Sequence, residues 1–144
     1  MQILDIESET FEVADRYLAQ RLYEFNVSAT GISDGIEYGR VIRNSSEAII
    51  AGVSGHTWGG TCQVNHLWVQ ENYRRSGLGL SLMNEVEVHA RKMKCTQIVL
   101  FTHSFQAPQF YEKLGFKRMS ETRNYPIGHS QLQFVKQLKD DNVA

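Results

Sequence analysis

The segment Arg74-Arg-Ser-Gly-Leu-Gly79 lies between a strand-like run, Val64–Val69, and a helix-like run, Leu80–Met93. Its two glycines allow the backbone to come close to a bound group. A helix that begins here points its unpaired N–H groups and its positive dipole end at that group. The two arginines add charge in a form that suits phosphate. The segment therefore predicts a binding site for an anion, and a pyrophosphate fits it best.

Two other phosphate motifs do not fit this segment. A nucleoside-triphosphate loop ends in Gly-Lys-Ser/Thr, whereas Leu80 and Ser81 follow Gly79 here. The dinucleotide fingerprint requires a third glycine or an alanine at the position of Leu82. Two interpretations of Arg-x-x-Gly-x-Gly after a strand remain. It is either another kind of phosphate-binding motif, or a plain strand–helix turn whose glycines are needed only for packing.

A second pattern follows along the chain. The run Gln97–Thr102 is apolar and bounded by polar residues, as expected for a buried strand. The stretch Ser104–Phe116 then predicts a short helix, with Ser104 as its cap, Pro108 in its first turn and Gly115 at its end.

Together the two patterns resemble the GCN5-related N-acetyltransferases (GNAT family). Arg-x-x-Gly-x-Gly matches the acyl-CoA signature of that family, and Ala-x-x-Phe-Tyr-Glu-Lys-Leu-Gly-Phe at residues 107–116 matches a later family motif. The resemblance covers residues 40–120 well and the first 39 residues in outline. It implies the α/β (α+β) fold of this family, a mixed central β-sheet flanked by helices, with acetyl-CoA as co-substrate and no metal.

The composition is typical of a single domain over residues 1–144, long enough to bury most of a core. A net charge of −1 gives no general attraction to nucleic acid or to acidic membranes. No apolar run approaches the roughly 18 residues that span a bilayer, and the acidic N-terminus does not resemble a secretory signal. We therefore expect a cytoplasmic protein without membrane or nucleic-acid partners. The sequence neither requires nor excludes a homodimer.

Cys62 and Cys95 show no metal-binding spacing. We expect both to be small, buried or half-buried thiols, in preference to a disulfide or a nucleophile.

Hydrophobic periodicity predicts the remaining elements. Gln2–Ile6 is expected as a first strand, Thr10–Phe25 as an amphipathic helix, and Asn26–Gly39 as irregular. Further strands are expected at Arg40–Arg43 and Ala48–Trp58, joined as a hairpin by a turn at residues 44–46. Others are expected at Thr61–Val69, from Phe116 to about Glu121, and at Gln131–Leu138, with a frayed tail at Lys139–Ala144.

The resemblance also implies how the chain holds coenzyme A. Backbone N–H groups of the glycine-rich segment hold the pyrophosphate, and the two arginines assist. The strand before this segment diverges from the next one, so that the amides of Leu67 and Val69 bond the pantetheine arm, while their side chains belong to the core. Ser104 either contacts the pantetheine or only caps its helix. The predicted cofactor-binding residues are Leu67, Trp68, Val69, Arg74, Arg75, Ser76, Gly77, Leu78, Gly79 and Ser104.

Two side chains are the predicted catalytic residues. Tyr111 matches the general acid of the family and would protonate the departing thiolate. The alternative is a buried tyrosine with a paired hydroxyl. His66 is the best-placed candidate for the base that deprotonates the acceptor ammonium, or for a member of a water chain, and the alternative is a hydrogen-bonded sheet histidine. Strand alternation places His66 on one face with Val64 and Trp68, and the residues between them on the other face. Weaker candidates for the base are His56, His103, His129 and Glu24.

The acceptor is expected to be an amine-bearing small molecule or protein. Its site would be built from residues 22–40 and from the last hairpin, including Tyr125 and His129, but these segments contain no motif that identifies it. Two alternatives remain. A non-catalytic acyl-CoA-binding module would not need Tyr111, and an acetyltransferase that acts on tRNA would need a basic face.

Overall fold

Two segments of the chain form separate units in the computed structural model, which describes residues 1–139. The first unit, Met1–Ser33, contains one turn of 3₁₀ helix at Ser8–Thr10 and helix α1 at Phe11–Thr30. The second begins at Asp34. Its elements are β1 (Ile36–Arg43), β2 (Ile49–Trp58), β3 (Thr61–Val69), a 3₁₀ turn (Glu71–Tyr73), α2 (Leu78–Lys92), β4 (Gln97–His103), α3 (Pro108–Lys113), β5 (Lys117–Arg123) and β6 (Ser130–Gln137). The single domain over residues 1–144 stays a prediction.

Helix α1 is longer than its apolar spacing predicted. It continues past Phe25 to Thr30 and ends at Gly31, whose φ of 73° is left-handed, a common way for glycine to end a helix. No residue of α1 is buried. None of the helices within residues 1–139 combines the length and apolar character needed to cross a membrane.

The predicted strand Gln2–Ile6 is wrong. These residues form no regular element, and the sheet contains no strand that pairs with them. A strand needs a partner for its backbone groups, so an apolar run alone does not make one. The predicted irregular stretch Asn26–Gly39 is wrong at both ends, because its beginning belongs to α1 and its end to β1.

The second unit is built on one mixed sheet with the strand order β1-β2-β3-β4-β6-β5. Within residues 1–139, β3 and β4 are the only parallel neighbours, and the other neighbouring strands are antiparallel. Parallel strands require a crossover connection, and α2 provides it. The predicted fold class, a mixed sheet with helices, is confirmed.

The predicted hairpin at residues 44–46 is confirmed. The side chain of Asn44 forms the turn, since its Oδ1 accepts hydrogen bonds from the N–H groups of Ser46 (2.9 Å) and Ala48 (3.1 Å). The predicted tail lies, apart from Lys139, outside the described residues.

Helices α2 and α3 pack on one face of the sheet. The buried stripe of α2 is formed by Leu82, Met83, Val86 and Ala90, which recur at helical spacing. This stripe belongs to the same core cluster as Tyr111 of α3. The central strands contribute Cys62, Val64, Ile98, Leu100, Leu132 and Phe134. The core therefore fixes the start of α2 and the position of Tyr111 relative to β3 and β4.

An ion-pair network holds α2 to β6. The Glu87 carboxylate pairs with Lys136 Nζ (2.8 Å) and with Arg91 Nη2 (3.0 Å). Burial acts to raise the pKa of Glu87, but hydrogen bonds and charge from these two cations outweigh it, and the pKa is lowered. The carboxylate is therefore charged at neutral pH and holds the helix against the sheet.

Both cysteines are free and buried, which confirms the predicted thiols. Burial, with a smaller contribution from the charge of Cys95, raises the pKa of the Cys62 thiol to about 11. Cys62 is therefore protonated at neutral pH and is a poor nucleophile.

Candidate active site

Strands β3 and β4 diverge after a short stretch of pairing. They pair only over Thr61–Val64 and Gln97–Leu100. Beyond that point β3 pairs with β2 alone. The edge of β3 that faces β4 therefore carries backbone groups without a strand partner, and an extended ligand can bond to such an edge as an added strand would.

The direction of these backbone groups follows from the register of β2 and β3. The N–H of Gln70 donates to the carbonyl oxygen of Ile50 (2.8 Å), which fixes the alternation of the antiparallel ladder. The backbone groups of Leu67 and Val69 alternate with those of Gln70, so they point away from β2 and into the space between β3 and β4. The carbonyl oxygen of Val69 accepts a hydrogen bond from Arg74 Nε (3.0 Å), as this direction requires. Both side chains pack against the core.

A β-bulge at Asn65 marks the beginning of the unpaired part of β3. Gly55 pairs with Val64, but the preceding Ser54 pairs with His66, so Asn65 has no partner on β2. An extra residue of this kind bends its strand and increases the local twist. The bulge therefore contributes to the divergence of β3 from β4.

The bulge also changes which side chains share a face. Strict alternation predicted His66 on the same face as Val64 and Trp68. Val64 is buried, whereas His66 and Trp68 are exposed and Leu67 packs against the core. The predicted grouping of His66 with Val64 is wrong because the extra residue shifts the alternation by one position.

The glycine-rich segment forms the turn into α2. Gly77 precedes the helix with a left-handed φ of 85°, and a Cβ there would meet no atom within 4 Å. Within residues 1–139, none of the backbone N–H groups from Ser76 to Leu80 donates a hydrogen bond. Together with the positive end of the helix dipole, this row of donors is suited to an anion.

The two arginines of the segment are held differently. Arg74 is anchored through Nε to the end of β3, which leaves the rest of its guanidinium group exposed. Arg75 has a φ of 63°, which is uncommon for a residue other than glycine and is often found at functional sites. Gly79 lies against α3, where a Cβ would be 3.4 Å from the ring of Phe110, an ordinary contact distance.

All of these features border one cavity of about 880 Å³. The unpaired edge of β3 and the start of α2 form part of its wall, and the end of β4 and the start of α3 complete it. Its volume lies in the usual range of small-molecule sites. Of the residues predicted to bind coenzyme A, all but Ser76 and Ser104 line this cavity.

Tyr111 is buried beside the cavity, with 8% of its surface exposed. Its ring packs against Phe110, Phe116 and Phe134. Its hydroxyl forms no hydrogen bond with any group of residues 1–139, yet it is not among the fully enclosed polar atoms. Burial raises the pKa of the Tyr111 phenol. A neutral hydroxyl without a partner at a cavity wall is available to donate a proton.

His66 lies on the exposed edge of the same cavity. Its Nδ1 lies 3.3 Å from the hydroxyl oxygen of Ser54 on the neighbouring strand, which orients the ring. His56, His103 and His129 do not line the cavity. Glu24 belongs to the first unit, where it pairs with Arg21 (2.6 Å). Among the candidate histidines, His66 is therefore the one that lies at the cavity wall.

Comparison with known proteins identifies the family. The family model of the GNAT acetyltransferases matches residues 1–116. The chain belongs to this family. It is 29% identical over 117 residues to an acetyltransferase of Agrobacterium fabrum, Atu2258, with 81% of this chain and 85% of that protein covered. It is 33% identical over 91 residues to the blasticidin-S acetyltransferase of Streptomyces morookaense, with 62% and 67% covered. The crystal structure of an acetyltransferase from Bacillus cereus has 30% identity and a TM-score of 0.78, with 96% and 98% covered.

Within this GNAT domain, Ser104 does not cap α3. Its hydroxyl oxygen accepts a hydrogen bond from the N–H of Ser130 (3.1 Å). Helix α3 begins only at Pro108, and its capping residue, Ala107, has a left-handed φ of 53°. The predicted capping role of Ser104 is wrong, because the loop after β4 bonds to β6 instead. A contact of Ser104 with the pantetheine stays a prediction.

Sequence reasoning missed Gly55 and the aromatic side chains at the end of β4. A Cβ on Gly55 would lie 2.0 Å from the carbonyl oxygen of Gln63, so only glycine fits opposite the bulge. A glycine inside a strand pattern is a signal for such a site. Phe101 and Phe105 line the cavity and are about half exposed, which is unusual for phenylalanine.

Among residues 1–139 no three potential metal-ligating side chains lie together.

Proposed function

We propose that this protein is an N-acetyltransferase that transfers the acetyl group of acetyl-CoA directly to a primary amine. One observation carries the proposal. A free helix N-terminus, an unpaired strand edge and a buried tyrosine hydroxyl all border a single cavity. These are the groups needed to hold a pyrophosphate, to bond an extended amide-containing arm and to protonate a leaving group.

Two elements of the site bind different parts of the coenzyme. The N–H groups of residues 76–80 bind the pyrophosphate, with the side chains of Arg74 and Arg75 beside them. The backbone of Leu67 and Val69 bonds the pantetheine arm along β3, and Trp68 forms part of the cavity wall. An unpaired N–H of this edge also polarises the thioester carbonyl and stabilises the oxyanion that forms on it.

The transfer itself requires three proton movements. The amine nitrogen attacks the thioester carbon, and a C–N bond forms as the tetrahedral intermediate appears. When the C–S bond breaks, the Tyr111 hydroxyl protonates the departing sulfur, and the nitrogen of the intermediate gives up a proton that returns, through water, to the Tyr111 oxygen. Before the attack, the acceptor ammonium loses its first proton to His66, directly or through water, and this proton passes to solvent, so that the neutral amine is the attacking form. The raised pKa of Tyr111 keeps it protonated at the pH where an imidazole can accept a proton.

Calorimetric titration tests the cofactor, and a labelled transfer assay tests the reaction. We expect the protein to bind acetyl-CoA and to bind neither ATP nor NAD. We also expect mass spectrometry to find acetylated amines after a lysate is incubated with the protein and labelled acetyl-CoA. Binding of NAD without binding of acetyl-CoA would overturn the site. Binding of acetyl-CoA without any labelled product would favour a non-catalytic acyl-CoA-binding module.

A His66→Gln variant tests the base. If His66 accepts the ammonium proton, the rate at low acceptor concentration rises with pH along a limb that depends on the His66 side chain. The substitution should flatten or shift that limb while acetyl-CoA affinity stays unchanged. The measurement is the pH profile of kcat/KM for two acceptors of different basicity.

A His56→Gln variant is the matched control, because His56 lies on the neighbouring strand and outside the cavity. It should leave the profile unchanged. If the limb instead follows the pKa of each acceptor and ignores His66→Gln, the acceptor arrives already deprotonated and no side chain acts as base.

A further inference from the structure

Four aromatic side chains form a cluster at the end of β4, in the loop that follows it and in the loop between β5 and β6. This aromatic cluster consists of His103, Phe105, Tyr125 and His129. The His103 ring is nearly parallel to those of Phe105 (centroids 5.4 Å apart, 8°) and Tyr125 (5.2 Å, 5°). The His129 ring meets Phe105 edge-on at 5.0 Å. Such parallel and edge-on arrangements are the ones that aromatic rings prefer.

Hydrogen bonds between the two segments hold the cluster in place. His103 Nδ1 donates to the carbonyl oxygen of Tyr125 (3.0 Å). Ser104 and Ser130 are joined twice, through the N–H of Ser104 to the carbonyl oxygen of Ser130 (2.8 Å) and through the N–H of Ser130 to Ser104 Oγ (3.1 Å). The rings are therefore positioned before any ligand arrives, which lowers the entropic cost of binding.

The cluster continues the wall of the cavity outward. Phe105 lines the cavity that contains Tyr111, and it also contacts His103 and His129. Phe105 is 56% exposed and Tyr125 is 52% exposed, so both rings offer apolar faces to a ligand. Phe105 and Tyr111 line the same cavity, so a planar group that lies on the Phe105 ring is in the cavity that contains the proposed acid.

The charges at the cavity further limit the chemical class of acceptor that it can bind. Two arginines line it, and none of its lining residues is aspartate or glutamate. Glu121 on β5 is bonded to Ser130 beside the cluster (2.7 Å) and supplies one negative charge. A polyamine or another polycation would require several carboxylates. A ligand with one ammonium group and a flat apolar body does not require several carboxylates.

We propose that the acceptor is a small primary amine that carries a planar aromatic or heteroaromatic group, which stacks on Phe105 at the cavity wall, while Tyr125, on His103, extends this aromatic surface. The proposal rests on the proposed acetyl transfer and names the substrate class of that site. Phe105 and Tyr125 are then specificity-determining residues, since they contact the acceptor away from the reacting atoms.

A matched pair of amines tests the substrate class. Phenethylamine and 2-cyclohexylethylamine have the same carbon skeleton, but only the first has a planar ring, and spermidine represents the polyamines. We expect kcat/KM for phenethylamine to exceed that for 2-cyclohexylethylamine by about two- to tenfold, and spermidine to be poorer than either. Phe105→Leu and Tyr125→Leu should each reduce this ratio toward one without changing the affinity for acetyl-CoA. Met119→Leu, on the exposed strand β5, is the control and should leave the ratio unchanged.

Calorimetric binding of phenethylamine to the complex with coenzyme A separates the two proposals, because it does not require turnover. Binding that Phe105→Leu weakens, without any acetyl transfer, supports the ligand class and overturns the transfer reaction. Acetylation without an aromatic preference, or with a ratio that both variants leave unchanged, overturns the substrate class and leaves the transferase standing. Absence of both binding and transfer for phenethylamine also overturns the substrate class.

Discussion

Gly77→Val is expected to weaken acetyl-CoA binding by about a hundredfold or more. Gly77 has a φ of 85°, which a β-branched residue does not adopt without strain. A Cβ at this position would meet no atom within 4 Å, so the effect does not come from a clash inside the protein. It comes from the turn, which must change its conformation and then no longer presents the N–H groups of residues 76–80 together. The measurement is calorimetric titration with acetyl-CoA.

Gly60→Val provides a matched control for this variant. Gly60 has nearly the same φ, 86°, and a Cβ there would also meet no atom within 4 Å, but it lies in the turn between β2 and β3, outside the cavity. Both variants should lose similar amounts of stability in denaturant unfolding, and only Gly77→Val should lose acetyl-CoA binding. Equal affinity in the folded Gly77→Val protein would refute the assignment of this loop to the pyrophosphate.

Gly79→Val should also weaken binding, for a different reason. A Cβ at position 79 would lie 3.4 Å from the ring of Phe110, so alanine fits and the extra methyl groups of valine do not. We expect Gly79→Ala to bind acetyl-CoA nearly as well as the unmodified protein. A loss with alanine as large as with valine would mean that Gly79 serves the ligand directly and not the packing of α2 on α3.

Tyr111→Phe is expected to lower kcat by about ten- to a thousandfold while the dissociation constant for acetyl-CoA stays nearly unchanged. The hydroxyl is required only when the thiolate leaves, so its removal affects the transition state and not the ground state. Burial raises the pKa of Tyr111, so the acid form persists throughout the neutral range. Any loss of kcat caused by its ionisation should therefore begin only above the ordinary phenol value of about 10.

Tyr38→Phe is the control for this variant. Tyr38 is as buried as Tyr111 (7% and 8% exposed), and burial also raises its pKa, but it lies outside the cavity. Its hydroxyl has no hydrogen-bond partner in residues 1–139, so its removal should preserve stability and leave kcat unchanged. If Tyr111→Phe keeps full activity with an acceptor for which thiolate departure limits the rate, Tyr111 is not the acid.

The sequence by itself determined the parts of this protein that depend on local chemistry. The glycines and arginines of residues 74–79, placed between a strand and a helix, predicted the anion site, and the structure shows unpaired N–H groups there. The pattern at residues 107–116 placed Tyr111 on the helix that borders the same cavity. Both depend on a few neighbouring residues whose backbone conformation is restricted by their own type.

Only the tertiary structure decided the features that depend on residues distant in the chain. The bulge at Asn65 is defined by the register of β2, so strict alternation wrongly grouped His66 with Val64. Gly55 is required by the carbonyl of Gln63 on the neighbouring strand. The aromatic cluster joins the end of β4 to the loop before β6, two segments whose contact no local pattern encodes. Strand pairing brings such residues together, and it is set by the packing of the whole sheet and not by the preference of any one segment.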